Sequence, residues 1–148
     1  MMRRLLFREG MMKRDYATIF AMSYQPEGYK ELLAYQLAFN EAMRLHWLLP
    51  NLPEEESPLV VRLREVSREV CLHLAAAWEQ RRYCSSFVNK LAEAKAATAK
   101  VQTWVAFAVE CGYISVEDGQ IHCDLCSDVL AEVEHLIRTA TVVVKLAG

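Results

Sequence analysis

The sequence is poor in glycine and lacks any long apolar run, and each absence excludes a class of function. Only five glycines occur among its 148 residues, and none belongs to a phosphate-binding loop. Nucleophile motifs and Ser–His–Asp arrangements are missing as well. No stretch approaches the eighteen apolar residues that a membrane-spanning helix needs. We therefore expect a non-enzymatic protein with no catalytic residues, no cofactor and no membrane partner.

The start of the sequence also lacks the apolar segment of a secretory leader. MMRRLLFREGMMKRD contains arginines, but its apolar run, LLF, is far too short. The five cysteines are an odd number for a chain without such a leader. We therefore expect a cytoplasmic protein whose thiols are reduced.

The charge distribution says more than the net charge. Seventeen basic and nineteen acidic residues give a net charge of −2, which by itself predicts no polyanion partner. Residues 62–100 contain eight basic and four acidic side chains, whereas residues 113–148 contain two basic and six acidic ones. The middle of the chain is therefore basic and its C-terminal part acidic.

Apolar periodicity divides the chain into an arm and a helical domain. Residues 1–28 show no sustained period and are interpreted as an N-terminal arm, with disorder as one explanation. Residues 29–148 contain four segments of helical period, which begin near residues 29, 57, 85 and 118, and no sustained period-two alternation. We expect Ser57 to cap the second helix, with Pro58 at its first position, and Gly112 to stop the third.

Intervals of three and four between apolar residues predict how the four helices pack. Such intervals are typical of left-handed bundles, and short links favour an all-α, up-down-up-down antiparallel four-helix bundle. The third helix carries alanine on two faces, so we expect it to meet a second subunit as well as its own bundle. The predicted core stripes are Leu32, Gln36, Phe39, Met43, His46 and Leu49; Leu63, Val66, Val70, Leu74 and Ala77; Phe87, Leu91, Ala94, Thr98, Val101, Val105 and Ala108; and Leu125, Val129, Val133, Leu136, Ala140 and Val143.

Several short motifs follow one another along the sequence: Tyr35, Gln36 and Ala38 in the first helix, Leu63 and Ser67 in the second, Phe87 in the third, and the closing Gly112 and Tyr113. Their order and spacing resemble a known family of small four-helix bundles, the 23S rRNA intervening-sequence proteins and the accessory variability proteins of diversity-generating retroelements. The resemblance covers residues 29–140. One departure is SREVCLHLAAAW, where many members have SIPSNIAEG, so the proline and the Asn-Ile-Ala-Glu-Gly run are missing.

The resemblance implies an assembly and a class of partner. It implies a homopentamer arranged as a ring, binding to RNA or DNA, and, for the retroelement branch, partnership with a reverse transcriptase. It implies no enzymatic activity.

Basic residues of the second and third helices are the candidate nucleic-acid contacts. Arg64, Arg68 and Arg82 are expected to share one helical face, because four residues are about one turn and eighteen are about five, and neighbouring basic residues extend this surface. A phosphate backbone gains from many such contacts. The alternative is an ordinary solvated face with ion pairs between successive turns. The full candidate set is Arg64, Arg68, Arg81, Arg82, Lys90, Lys95 and Lys100.

Two local patterns raise the possibility of metal binding, although we predict none. Cys123 and Cys126 have the spacing of a zinc half-site next to His122, but the chain has no second such pair. Glu132 and His135 form one Glu-x-x-His pair, whereas di-metal bundles use two. The alternative is that these residues are ordinary core and surface side chains.

The tryptophans and the acidic helix complete the sequence-based interpretation. Trp47, Trp78 and Trp104 fall on three different helices and are expected to anchor the core or an interface. We predict a non-enzymatic oligomeric accessory protein that binds nucleic acid or a nucleic-acid enzyme. The alternative is a structural protein-interaction scaffold whose acidic fourth helix is the contact surface.

Overall fold

Four long α-helices make up most of the chain between residues 26 and 147, the part that the computed structural model describes, with side chains described to residue 141. Three short 3-10 turns accompany them, and no strand is present in this part. The all-α prediction is confirmed, while the predicted arm lies outside the described residues except for its last three. The helices are α1, Leu33–Leu48; α2, Ser57–Glu79; α3, Cys84–Glu110; and α4, Val116–Ala147.

The helices pack in chain order around one core. α2 and α4 each contact both α1 and α3, as expected for an antiparallel bundle with short connections. The stripes predicted for α2 and for α3 from Leu91 to Ala108 are buried. Large side chains such as Leu63, Leu74 and Leu91 are at most 1% exposed, and burying each one stabilises the fold by about 1.5–3 kcal/mol. No helix in the described part is long and apolar enough to cross a membrane.

The core stripe predicted for α1 is largely wrong, because most of its residues lie on the exposed side of the helix. Gln36, Phe39 and Met43, which were expected in the core, are exposed. Only the flanking positions Leu32 and Leu49 are buried as predicted. Small side chains let α1 approach its neighbours closely, so the helix turns its less bulky face inward. The buried residues of α1 are Ala34, Ala38, Glu41 and Leu45.

The helix ends follow local rules, with one correction. Ser57 is the first residue of α2 and not its cap, because a 3-10 turn places Glu56 at the cap position, and Pro58 is therefore the second residue of the helix and not the first. Gly112 adopts φ +75°, which ends α3 as predicted, and its N–H donates to Val109 O at 2.9 Å. α4 begins two residues earlier than predicted, after Ser115, whose hydroxyl accepts a hydrogen bond from the Asp118 N–H.

Candidate functional site

Two of the seven candidate cations are held by carboxylates. Lys90 Nζ lies 2.8 Å from a carboxylate oxygen of Glu93, and Lys95 Nζ lies 2.6 Å from one of Glu134 on α4. The hydrogen bonds from these lysines hold the pKa values of Glu93 and Glu134 below the usual range. A lysine whose charge is balanced in this way contributes less to an anion-binding surface.

Two further cations lie in the turn after α2. Arg81 places its guanidinium 4.1 Å from the centroid of a Trp78 ring and donates to the Trp78 carbonyl at 3.0 Å. Arg82 is exposed. Because α2 ends at Glu79, the prediction that Arg82 continues the helical face of Arg64 and Arg68 is wrong.

Arg64 and Arg68 lie one turn apart on α2. Neither side chain forms an ion pair within residues 26–141, and Arg68 is exposed. Arg62, by contrast, pairs with Glu65 at 3.3 Å. Lys100 is exposed on α3 and likewise has no salt bridge in this part of the chain. The seven candidates therefore do not form one continuous surface. Arg64 and Arg68 are the two that lie on α2 without an ion pair in this part of the chain.

The outer face of α4 is acidic, as the charge distribution predicted. Four of its carboxylates are exposed to solvent, while Glu134 is paired with Lys95. The exposed carboxylates of α4 therefore contrast with the two arginines on α2 that have no ion pair among residues 26–141. The exposed carboxylates of α4 are those of Glu117, Asp118, Asp124 and Asp128.

A buried hydrogen-bonded pair, Glu41 and His122, joins α1 to α4. Nδ1 of His122 lies 2.8 and 2.9 Å from the two carboxylate oxygens of Glu41. Glu41 is 3% exposed and His122 is 5% exposed. Burial raises the pKa of Glu41, and the hydrogen bond and charge of His122 oppose only part of this rise. The pair therefore fixes α1 against α4 and also makes the bundle sensitive to the charge of Glu41.

The Glu41 side chain borders a small cavity to which every helix contributes two residues. The cavity has a volume of about 10 Å³, room for roughly one water molecule. The hydroxyls of Ser67 and Thr98 line it, and each donates to a carbonyl of its own helix, at 3.1 and 2.8 Å. No organic substrate fits this space, so we assign a structural role to the Glu41–His122 pair. The lining residues are Ala38, Glu41, Ser67, Val70, Thr98, Val101, Cys126 and Val129.

The two metal patterns do not come together in the structure. His122 faces Glu41, Cys126 lies in the core, and Glu132 and His135 lie farther along α4, with His135 exposed. Burial raises the pKa of the Cys126 thiol, which disfavours the thiolate that a metal needs. Within the described residues, no group of three or more His, Cys, Asp or Glu side chains is placed to hold a metal ion.

The sequence interpretation missed the Glu41–His122 pair, and of the two roles it allowed for Trp47, in the core or at an interface, the structure excludes the first. Glu41 falls in phase with Ala34, Ala38 and Leu45, a repeat that signals a close-packed face, but its charge argued against a core position. Trp47 is 71% exposed and does not anchor the core of the chain. Trp78 and Trp104 are half-buried.

Comparison with known proteins supports the fold. No protein-family model matches the sequence. No curated protein matches it either. A solved structure of a protein of unknown function from the S23 ribosomal protein family of Bacteroides thetaiotaomicron VPI-5482 matches with a TM-score of 0.65 and 17% identity. The match covers 72% of this chain and 96% of that one. At this identity, the similarity shows that the two chains share a helical-bundle fold.

Proposed function

We propose that this protein is a non-enzymatic accessory protein that binds nucleic acid, or a nucleic-acid enzyme such as a reverse transcriptase, through basic residues of α2 and α3. The observation that carries the proposal is that Arg64 and Arg68, adjacent on one side of α2, have no ion-pair partner among residues 26–141. Each phosphate that such a cation neutralises releases counterions, which favours binding. The family resemblance supports this class of partner.

We also propose that the protein works as a homo-oligomer, with the five-fold ring that the resemblance implies. In support of this, four alanines on the outer side of α3 are exposed while Ala94 and Ala97 are buried, as a helix with two neighbours would require. A ring would repeat the α2 arginines around its circumference and so multiply weak phosphate contacts. Light scattering should give five times the chain mass, and a monomer would contradict the assembly. The exposed alanines are Ala92, Ala96, Ala99 and Ala106.

Two double variants with the same change in net charge test the binding surface. The R64Q/R68Q variant removes two unpaired cations, and the K90Q/K95Q variant removes two cations that are paired with Glu93 and Glu134. We expect R64Q/R68Q to weaken RNA binding and to lower the slope of log K against log salt by about 0.7–0.9 for each lost phosphate contact. K90Q/K95Q should have a much smaller effect. Equal losses in both variants would contradict the assignment to Arg64 and Arg68.

The exposed carboxylates of α4 favour a second candidate, a protein-interaction scaffold. A like-charged face of this kind repels nucleic acid and suits a basic protein surface. A wild-type protein that forms the oligomer but binds neither RNA nor DNA at low salt would favour the scaffold.

A further inference from the structure

A column of aromatic side chains runs along the outer side of α1 and the turn before it. Tyr29 and Tyr35 meet edge to face with ring centroids 5.0 Å apart, and Tyr35 stacks with Phe39 at 6.0 Å and an interplanar angle of 23°. Farther along, His46 and Trp47 meet edge to face at 4.9 Å. Phe39 is 50% exposed and Trp47 is 71% exposed. Exposed rings in such a row are typical of an interaction surface.

The two unpaired arginines of α2 border this column. Cys71 is buried and lies about 200° around α2 from His73, which contacts Glu93 of α3, so the Cys71 side of α2 faces α1. Arg64 and Arg68 precede Cys71 by seven and three residues, intervals that put all three on the same side of a helix. The arginines and the rings therefore share one surface.

The register of α1 against α2 determines the height of each arginine, that is, its position along the bundle axis relative to the rings of α1. Glu41 and Ser67 line the same cavity, which places them at similar heights in the bundle. Because the two helices are antiparallel, Arg68 lies close to the height of Phe39. Arg64 lies about one turn nearer the C-terminus of α1, on the way to Trp47.

We infer that this aromatic–arginine face, formed by Tyr35, Phe39, Trp47, Arg64 and Arg68, binds single-stranded nucleic acid. Unpaired bases stack on the exposed rings while the arginines contact the phosphates. The inference rests on the proposed nucleic-acid function and adds the class of nucleic acid to it.

Chemistry distinguishes a single strand from a duplex at this face. The bases of a duplex stack on one another and offer no open surface to α1, whereas single-strand bases stack readily on aromatic side chains. Phe39 and Trp47 are eight residues apart, or about 12 Å along the helix. The face can therefore engage more than one base of a strand.

The charge of this face favours a nucleic acid over a protein partner. Arg64 and Arg68 have no carboxylate partner within residues 26–141, and the nearby Glu65 is paired with Arg62. Arg62 precedes His73 by eleven residues, three helical turns, and His73 contacts Glu93 of α3. The Arg62–Glu65 pair therefore lies toward α3, and it leaves the side near α1 cationic.

The first experiment compares two ring-deletion variants on two ligands. F39A/W47A removes two rings of the face, and F107A removes a ring that is 54% exposed on α3, outside the face. Binding of a labelled oligothymidine strand and of a duplex of equal length is followed by anisotropy. F39A/W47A should weaken strand binding by about 5- to 150-fold for each ring that stacks on a base, with little effect on duplex binding. F107A should leave both unchanged.

A second measurement reports on Trp47 directly. The chain has three tryptophans, so W78F/W104F leaves Trp47 as the only one. The oligothymidine strand should quench its fluorescence, and the duplex should not.

The outcomes separate this inference from the proposed function. Binding of both ligands that depends on Arg64 and Arg68 but not on Phe39 and Trp47 would overturn the inference and leave the proposed function standing. Absence of any binding at low salt would overturn both. A change of oligomer mass in F39A/W47A, with unchanged strand affinity, would instead make the face a contact between copies and overturn the inference.

Discussion

Replacing His122 with leucine should destabilise the bundle more at neutral pH than at acidic pH. In the wild-type protein, Nδ1 of His122 lies within 2.9 Å of both carboxylate oxygens of Glu41, and both residues are buried. Leucine occupies similar space but leaves the carboxylate of Glu41 without its partner. Removing one member of a buried pair costs about 3–5 kcal/mol.

The sign of the pH dependence follows from the pKa of Glu41. Burial already raises this pKa in the folded wild-type protein, and loss of His122 should raise it further. A carboxyl group whose pKa is higher in the folded state binds its proton more tightly there, so protonation favours folding. The stabilisation that comes from protonating Glu41 is present below the unfolded-state pKa of 4.5 and is lost as the pH rises through the folded-state pKa of Glu41. The cost of H122L should therefore shrink as the solution is acidified.

Urea unfolding of H122L and wild type at pH 7.5 and pH 4.5 measures this difference. Subtracting the wild-type values removes the contributions of the other carboxylates. The double variant E41M/H122L replaces the pair with apolar side chains and should recover most of the lost stability, because it leaves no buried charge. A cost below about 1 kcal/mol at pH 7.5, or the same cost at both pH values, would refute the reasoning.

Three further predictions concern the bundle itself. Gly119→Ala should lower the free energy of unfolding by about 1–3 kcal/mol in a urea titration, because the added methyl group would clash with Val109 of α3; an unchanged midpoint would contradict the close contact. Tyr113 donates a hydrogen bond to a Glu56 carboxylate at 2.6 Å, which raises the pKa of its phenol to about 12. The free energy of unfolding should therefore fall between about pH 10 and pH 12. In an ultraviolet titration of tyrosine ionisation, the step at the highest pH should be absent from Y113F. Leu74→Ala, at a fully buried position of α2, should cost about 2–5 kcal/mol in the same urea assay, and a cost near zero would place Leu74 outside the core.

The sequence predicts α2 and α3 well because their large apolar side chains repeat on a single face. On α2, the apolar row that contains Leu63, Val66 and Val70 has no rival on another face of the helix, and all three residues are buried. α1 carries two candidate faces, and the one with the bulkier residues, Phe39 and Met43, turned out to be exposed. Periodicity reports which residues share a face, but not which face the other helices cover.

Contacts between distant positions explain what could not be predicted about the site. Lys95 and Glu134 are 39 positions apart in the chain, so no local pattern shows that this lysine is paired. Glu41 and His122 are 81 positions apart, and each alone resembles a surface residue. The candidate cations could be named from the sequence, but the unpaired ones could be identified only after the helices were packed.

The most direct test of the proposed function is a titration of the purified wild-type protein against labelled structured RNA and an RNA–DNA hybrid at low and moderate salt. The account predicts binding that weakens steeply as salt rises, with a slope that counts the phosphate contacts. Negligible binding even at low salt would contradict it and would leave a helical bundle whose acidic α4 is the better candidate for a contact surface.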